Sequence, residues 1–132
     1  DRFDTVIQGR ASYDVARAVG IERPYAHLHE YVATRSEAVA PEGVTFTADA
    51  LATVRELKQQ PGQGIYLCGG GDLAGALLPE IDRLFLKRNP VVLGSGIRLF
   101  GTTGATIQRF RLVGSRAFES GVVIEEYARA IQ

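Results

Sequence analysis

With 132 residues the chain is long enough for one domain with a core of its own, and its 45% apolar and 23% charged content is that of a globular protein. Fifteen basic side chains balance 15 acidic ones, which argues against a nucleic-acid or membrane-surface binder held by net charge. No apolar run approaches the roughly 20 residues of a membrane span, no signal peptide is visible, and the one cysteine, Cys68, leaves no internal disulfide.

Asp4–Gly9, "DTVIQG", reads as a short buried strand ending in glycine. Ser12–Gly20 follows as a helix, with Ser12 as its N-cap and Gly20 as its stop. Leu28–Arg35 is a second strand, and Val44–Ala48 a short third after a turn at Pro41–Gly43. In "DALATVRELKQQPG", Leu51, Val54 and Leu57 recur at helical spacing until Pro61–Gly62 ends the helix. Gly64–Cys68 is a strand, and Asp72–Ile81 a helix that Pro79 helps to end. "RLFLKRNPVVLG" is β-rich, with Pro90 pointing to an edge position or a bulge. The tail, Ala105–Ala128, reads as two strands around a turn near Ser120–Gly121. Strands and helices alternate first and strands then run consecutively, so the expected class is α/β, a mainly parallel sheet with an antiparallel tail, in one domain.

Gly69, Gly70 and Gly71 stand where a strand hands over to a helix. In an open α/β sheet, ligands sit beyond the carboxyl ends of the strands. Glycines at such a turn let the backbone itself reach a phosphate. A sharp turn needing unusual dihedrals is the plainer explanation, but three glycines in a row favour a phosphate-binding turn. Gly69-x-Gly71-x-x-Ala74 formally fits a relaxed Rossmann fingerprint. It falls mid-chain, however, with "LKRNP" where an acidic ribose ligand belongs, and no Walker A lysine follows. Two further strand ends offer phosphate donors: Gly9, Arg10 and Ser12, and then Thr34, Arg35 and Ser36. Each alone is explained by a solvated charge, a cap or a polar turn. Three strand ends in a row, each offering phosphate donors, are less easily explained that way.

"VIQGRASYD", "YVATRS", "IYLCGGGDLAGALL", "FLKRNPVVLGSGIRLF" and "SGVVIEEY", in that order, resemble the dihydrofolate reductase-like superfamily. The nearest resemblance is to bacterial proteins similar to the C-terminal reductase domain of the bifunctional riboflavin-biosynthesis deaminase/reductase. It covers nearly the whole chain and implies a three-layer α/β/α fold and NADPH as cofactor. It implies that Gly9, Arg10 and Ser12 contact the cofactor's phosphates, and that Thr34, Arg35 and Ser36 lie near the adenosine 2′-phosphate. It implies that Gly69, Gly70, Gly71, Asp72 and Leu73 wrap the pyrophosphate and nicotinamide ribose, with a cis peptide joining Gly69 and Gly70. The "NPVVLGSGIRLF" stretch would flank the substrate side. Members of the family begin with a further strand and helix that form much of the nicotinamide and substrate pocket. Asp1 is not Met, so that segment, and the catalytic residues with it, are expected upstream. A sheet without that strand is expected to expose two unpaired edges.

The other chemistry-bearing residues read plainly. Cys68 is expected to behave as a small hydrophobe. His27 and His29 read as surface residues with no zinc partners, and no metal site is expected. Asp72 caps the helix after the glycines or reaches a ribose hydroxyl. The resulting expectation is a cytoplasmic NADPH-dependent reductase of a pyrimidine- or pterin-like small molecule, acting as a homodimer. The alternatives are a nucleotide-binding module without catalysis and a binder of a flavin-type cofactor.

Overall fold

The computed structural model describes residues 2–21, 23, 25–104 and 106–131. Two compact units are present: Asp1–Leu78 with Arg98–Thr103, and Pro79–Ile97 with Gly104–Gln132.

The first unit is built on a parallel sheet. β1 (Phe3–Gly9), β2 (His29–Ala33), β3 (Val44–Thr47) and β4 (Gly64–Leu67) lie in the order β3-β2-β1-β4. α1 (Arg10–Ala18) links β1 to β2, and α2 (Ala50–Lys58) links β3 to β4. α3 (Gly71–Leu77) follows β4 and runs into a single 3-10 turn, Leu78–Glu80, which contains Pro79. Thr5, Val6, Ile7 and Gln8 are all buried, as an interior strand covered on both faces requires. Alternation sends Ile7 to one face, where it packs with Val54 of α2 and Leu73 and Leu77 of α3. Val32 and Val44 face the other side, under Tyr13 of α1. Helices on both faces of the sheet make three layers, as expected.

Local chemistry explains most of the boundaries. Asp49 caps α2, its carboxylate accepting the Ala52 N–H at 3.0 Å. α1 starts earlier than Ser12. It begins at Arg10, directly after β1, with Gly9 at the N-cap and no side-chain cap. Ser12 is therefore the third helical residue, a correction to its expected capping role.

The second unit is antiparallel. β5 (Arg83–Arg88), β6 (Phe110–Ala117) and β7 (Val123–Arg129) form a sheet in the order β5-β7-β6. β5 stops two residues before Pro90 and is an edge strand, which suits a proline there. The tail reading began at Ala105, which lies outside the described residues; from Phe110 it holds as two strands. Among the described residues, the parallel and antiparallel strands hydrogen-bond as two separate sheets. Among the described residues β4 pairs only with β1, and β5 only with β7, so each leaves an edge.

Candidate functional site: the carboxyl ends of the parallel strands

β1 lies between β2 and β4, and all three run the same way. Their ends, at Gly9, Ala33 and Leu67, therefore share one edge of the sheet. From β1 the chain moves by α1 to β2 on one side, while β4 comes in on the other. α1 and α3 also leave toward opposite faces. The β1–β4 boundary is thus the point where strand order reverses, the place where doubly wound sheets open a crevice for ligands.

The glycine turn closes tightly on β1. The Cys68 N–H donates to the Ile7 carbonyl at 2.9 Å, extending the ladder by one residue. A Cβ on Gly69 would lie 2.5 Å from the Ser12 hydroxyl oxygen, and one on Gly9 would lie 4.0 Å from the Gly69 carbonyl oxygen. The first and third phosphate candidates of the sequence are therefore side by side. Gly69 and Gly70 have φ of +91° and +94°, a region that only glycine enters readily. These dihedrals reverse the chain with ordinary trans peptides; no cis bond occurs among the described residues, so the expected cis link between Gly69 and Gly70 is corrected. Gly70 is the N-cap of α3. Asp72 sits in its first turn and does not cap it; its carboxylate is taken up by Thr102. The Leu73 side chain is buried in the core, which leaves its backbone for any role at the turn.

Arg10 leans over the Phe46 ring at 5.1 Å and its Nε meets the Asp14 carboxylate at 3.0 Å. Its Nη1 is buried with no hydrogen-bond partner among the described residues. At the end of β2, the Thr34 N–H donates to the Thr47 carbonyl at 2.8 Å. The Thr34 hydroxyl oxygen accepts the Ser36 N–H at 3.1 Å, and the Ser36 hydroxyl oxygen accepts the Ala38 N–H at 3.1 Å. These two side-chain turns shape the loop and leave Arg35 exposed.

The RibD C-terminal domain family matches residues 15–124. The chain belongs to this family. YwjB of Bacillus subtilis is 38% identical over 132 residues, spanning 96% of this chain and 74% of that protein. YyaP of the same organism is 31% identical over 137 residues, spanning 93% and 72%. Among solved structures, a putative riboflavin biosynthesis protein from Shewanella sp. PV-4 has a TM-score of 0.71 at 22% identity, covering 98% of this chain and 76% of that one. A diaminohydroxyphosphoribosylaminopyrimidine deaminase/5-amino-6-(5-phosphoribosylamino)uracil reductase from Thermotoga maritima has a TM-score of 0.73 at 15% identity, covering 97% and 46%. The RibD C-terminal domain thus carries the dihydrofolate reductase-like fold here, as the sequence resemblance implies.

In this RibD C-terminal domain, several contacts at the sheet were not readable from the sequence. Cys68 is half-buried and its sulfur lies 2.9 Å from the Tyr25 hydroxyl. That contact, with burial next, pushes the Tyr25 phenol up to about 12. Cys68 is therefore more than a small hydrophobe. The Tyr25 N–H donates to the buried Glu30 carboxylate at 3.0 Å. The partners are far apart in sequence and carry no spacing motif. His29 bonds the Thr45 hydroxyl at 3.1 Å from β2, while His27 precedes the strand. No group of three or more His, Cys, Asp or Glu that could hold a metal occurs among the described residues. No described helix is long and apolar enough to cross a membrane.

Proposed function

We propose that the protein is an NADPH-dependent reductase acting on a pyrimidine- or pterin-like small molecule. The observation that carries the reading is the set of three donor-bearing strand ends along one edge of the sheet, two of them side by side across the β1–β4 boundary, with Arg10 Nη1 buried and without a hydrogen-bond partner among the described residues. A buried guanidinium nitrogen without a partner is costly, and an anionic oxygen would satisfy it. The glycine turn is bare of side chains where a pyrophosphate would need backbone N–H groups. These features fit a phosphorylated dinucleotide. The names of the similar structures, a uracil reductase among them, support the acceptor class.

In this reading Gly9, Arg10 and Ser12 hold phosphate oxygens, and Gly69–Gly71 with the backbone of Asp72 and Leu73 hold the pyrophosphate and ribose. Thr34, Arg35 and Ser36 select the 2′-phosphate, for which the guanidinium fork of Arg35 is well shaped. NADPH supplies the hydride when bound. The chain's own work is to bind the cofactor and fix its orientation, which accounts for much of the rate in such transfers.

Titration by nicotinamide fluorescence tests this directly. NADPH is expected to bind about tenfold more tightly than NADH, and Arg35→Ala is expected to remove that preference, since a charge-assisted hydrogen bond contributes about 1.5–3 kcal/mol. Equal affinities for the two nucleotides in the parent protein would overturn it.

A further inference from the structure

The chain between β5 and β6 is irregular, and one piece of it, Arg98–Thr103, groups with the first unit. This piece is a tight turn, with the Gly101 N–H donating to the Arg98 carbonyl at 3.0 Å and the Thr103 N–H to the Phe100 carbonyl at 3.3 Å. It is seated on α3. Two glycines make the approach possible. A Cβ on Gly75 would come within 2.5 Å of the Phe100 carbonyl oxygen, and one on Gly101 would stand 2.7 Å from the Asp72 backbone nitrogen. A single carboxylate then closes the contact. Asp72 Oδ1 accepts the Thr102 N–H at 3.1 Å and the Thr102 hydroxyl at 3.3 Å.

We infer that Asp72 is a positioning residue: through Thr102 it fastens the Arg98–Thr103 turn onto α3 and so fixes the Gly69–Gly71 turn from which α3 starts. α3 has seven residues, too few to hold its shape alone. Its inner side is anchored by Leu73 and Leu77 in the core. Its other anchor is the Gly75, Gly101 and Asp72 contact. Gly69 and Gly70 are exposed, without side chains to hold them, so their conformation depends on how firmly α3 is held. A turn fixed in advance binds a ligand more tightly than one that must be ordered on binding. The effect on cofactor affinity rests on the NADPH reading; the fastening itself does not.

Two readouts on the full chain separate these parts: the rate of tryptic cleavage after the exposed Arg98, and NADPH affinity by fluorescence. Asp72→Ala is expected to speed cleavage about tenfold and to weaken NADPH binding about tenfold, in line with loss of bonds to a charged group. Thr102→Ser, which keeps the hydroxyl, is expected to stay near the parent in both. Thr102→Val, at an exposed position, removes the hydroxyl bond and keeps the N–H bond, so a smaller rise in cleavage, about threefold, is expected from it if Asp72→Ala fails to fold. Parent-like cleavage in a folded Asp72→Ala or Thr102→Val would overturn the fastening. Faster cleavage with unchanged NADPH affinity would overturn its influence on the glycine turn. Faster cleavage in a protein whose parent binds no NADPH would support the fastening and reject the cofactor reading.

Discussion

Gly75 costs α3 about 1 kcal/mol of helix propensity relative to alanine. An alanine there would nevertheless press its methyl group to 2.5 Å from the Phe100 carbonyl oxygen. Backbone cannot step aside as the end of a flexible side chain can, and overpacking costs about 1–3 kcal/mol. The collision outweighs the propensity gain, so Gly75→Ala is expected to be destabilising by about 1 kcal/mol in urea unfolding. A midpoint above that of the parent would contradict this. Tyr25 offers a test by pH. Its phenol is held up at about 12, against an ordinary 10.0, chiefly by Cys68. A raised folded value means that the contribution to stability is complete below about pH 10 and disappears as pH rises through about 12. Cys68→Ala is expected to move one tyrosinate absorbance step down toward the ordinary value. An unmoved step would assign the shift to burial and to the neighbouring Tyr66 and Glu30.

β4 is held to β1 partly by its leading turn. The Asp4 carboxylate accepts the Gln63 N–H at 2.7 Å and the Thr5 hydroxyl at 2.9 Å, and the Gly64 N–H donates to the Arg2 carbonyl at 2.8 Å. The Gln63 bond, then the Thr5 bond, holds the Asp4 carboxyl below its ordinary 3.8. A lowered folded value means that this stabilisation is present above about pH 3.8 and is lost as pH falls through the folded value. Asp4→Asn is expected to flatten the acid limb of the stability profile; an unchanged limb would rule Asp4 out as its source. Every strand and helix was legible in the sequence because apolar periodicity and glycine or proline stops mark them locally. Ser12 misled as a cap because a serine before an apolar run has the cap's chemistry wherever the helix begins, and here no residues separate β1 from α1. The Asp72–Thr102 and Tyr25–Cys68 contacts were hidden because neither pair shares a periodic pattern, and only the fold brings them together.

At the scale of the molecule, the second unit keeps large apolar side chains exposed: Phe85 on β5, Leu112 and Val113 on β6, and Phe118 just after β6. Exposed apolar surface of this kind marks an interaction site, and twofold pairing of like chains is the commonest way to cover it. Light scattering is expected to return a homodimer at tens of micromolar, and a monomer there would count against this assignment. The chain spans 74% of YwjB and 72% of YyaP. The order β3-β2-β1-β4 also bears on how the protein is made. The ribosome releases β1 before β2 and β4, and Val6 must wait for Tyr66 to emerge before its second edge is paired. Until then the most deeply buried strand of the parallel sheet travels half-covered, dependent on α1 and β2 for protection, and the nascent chain is most exposed to misassembly while α2 is still being synthesised.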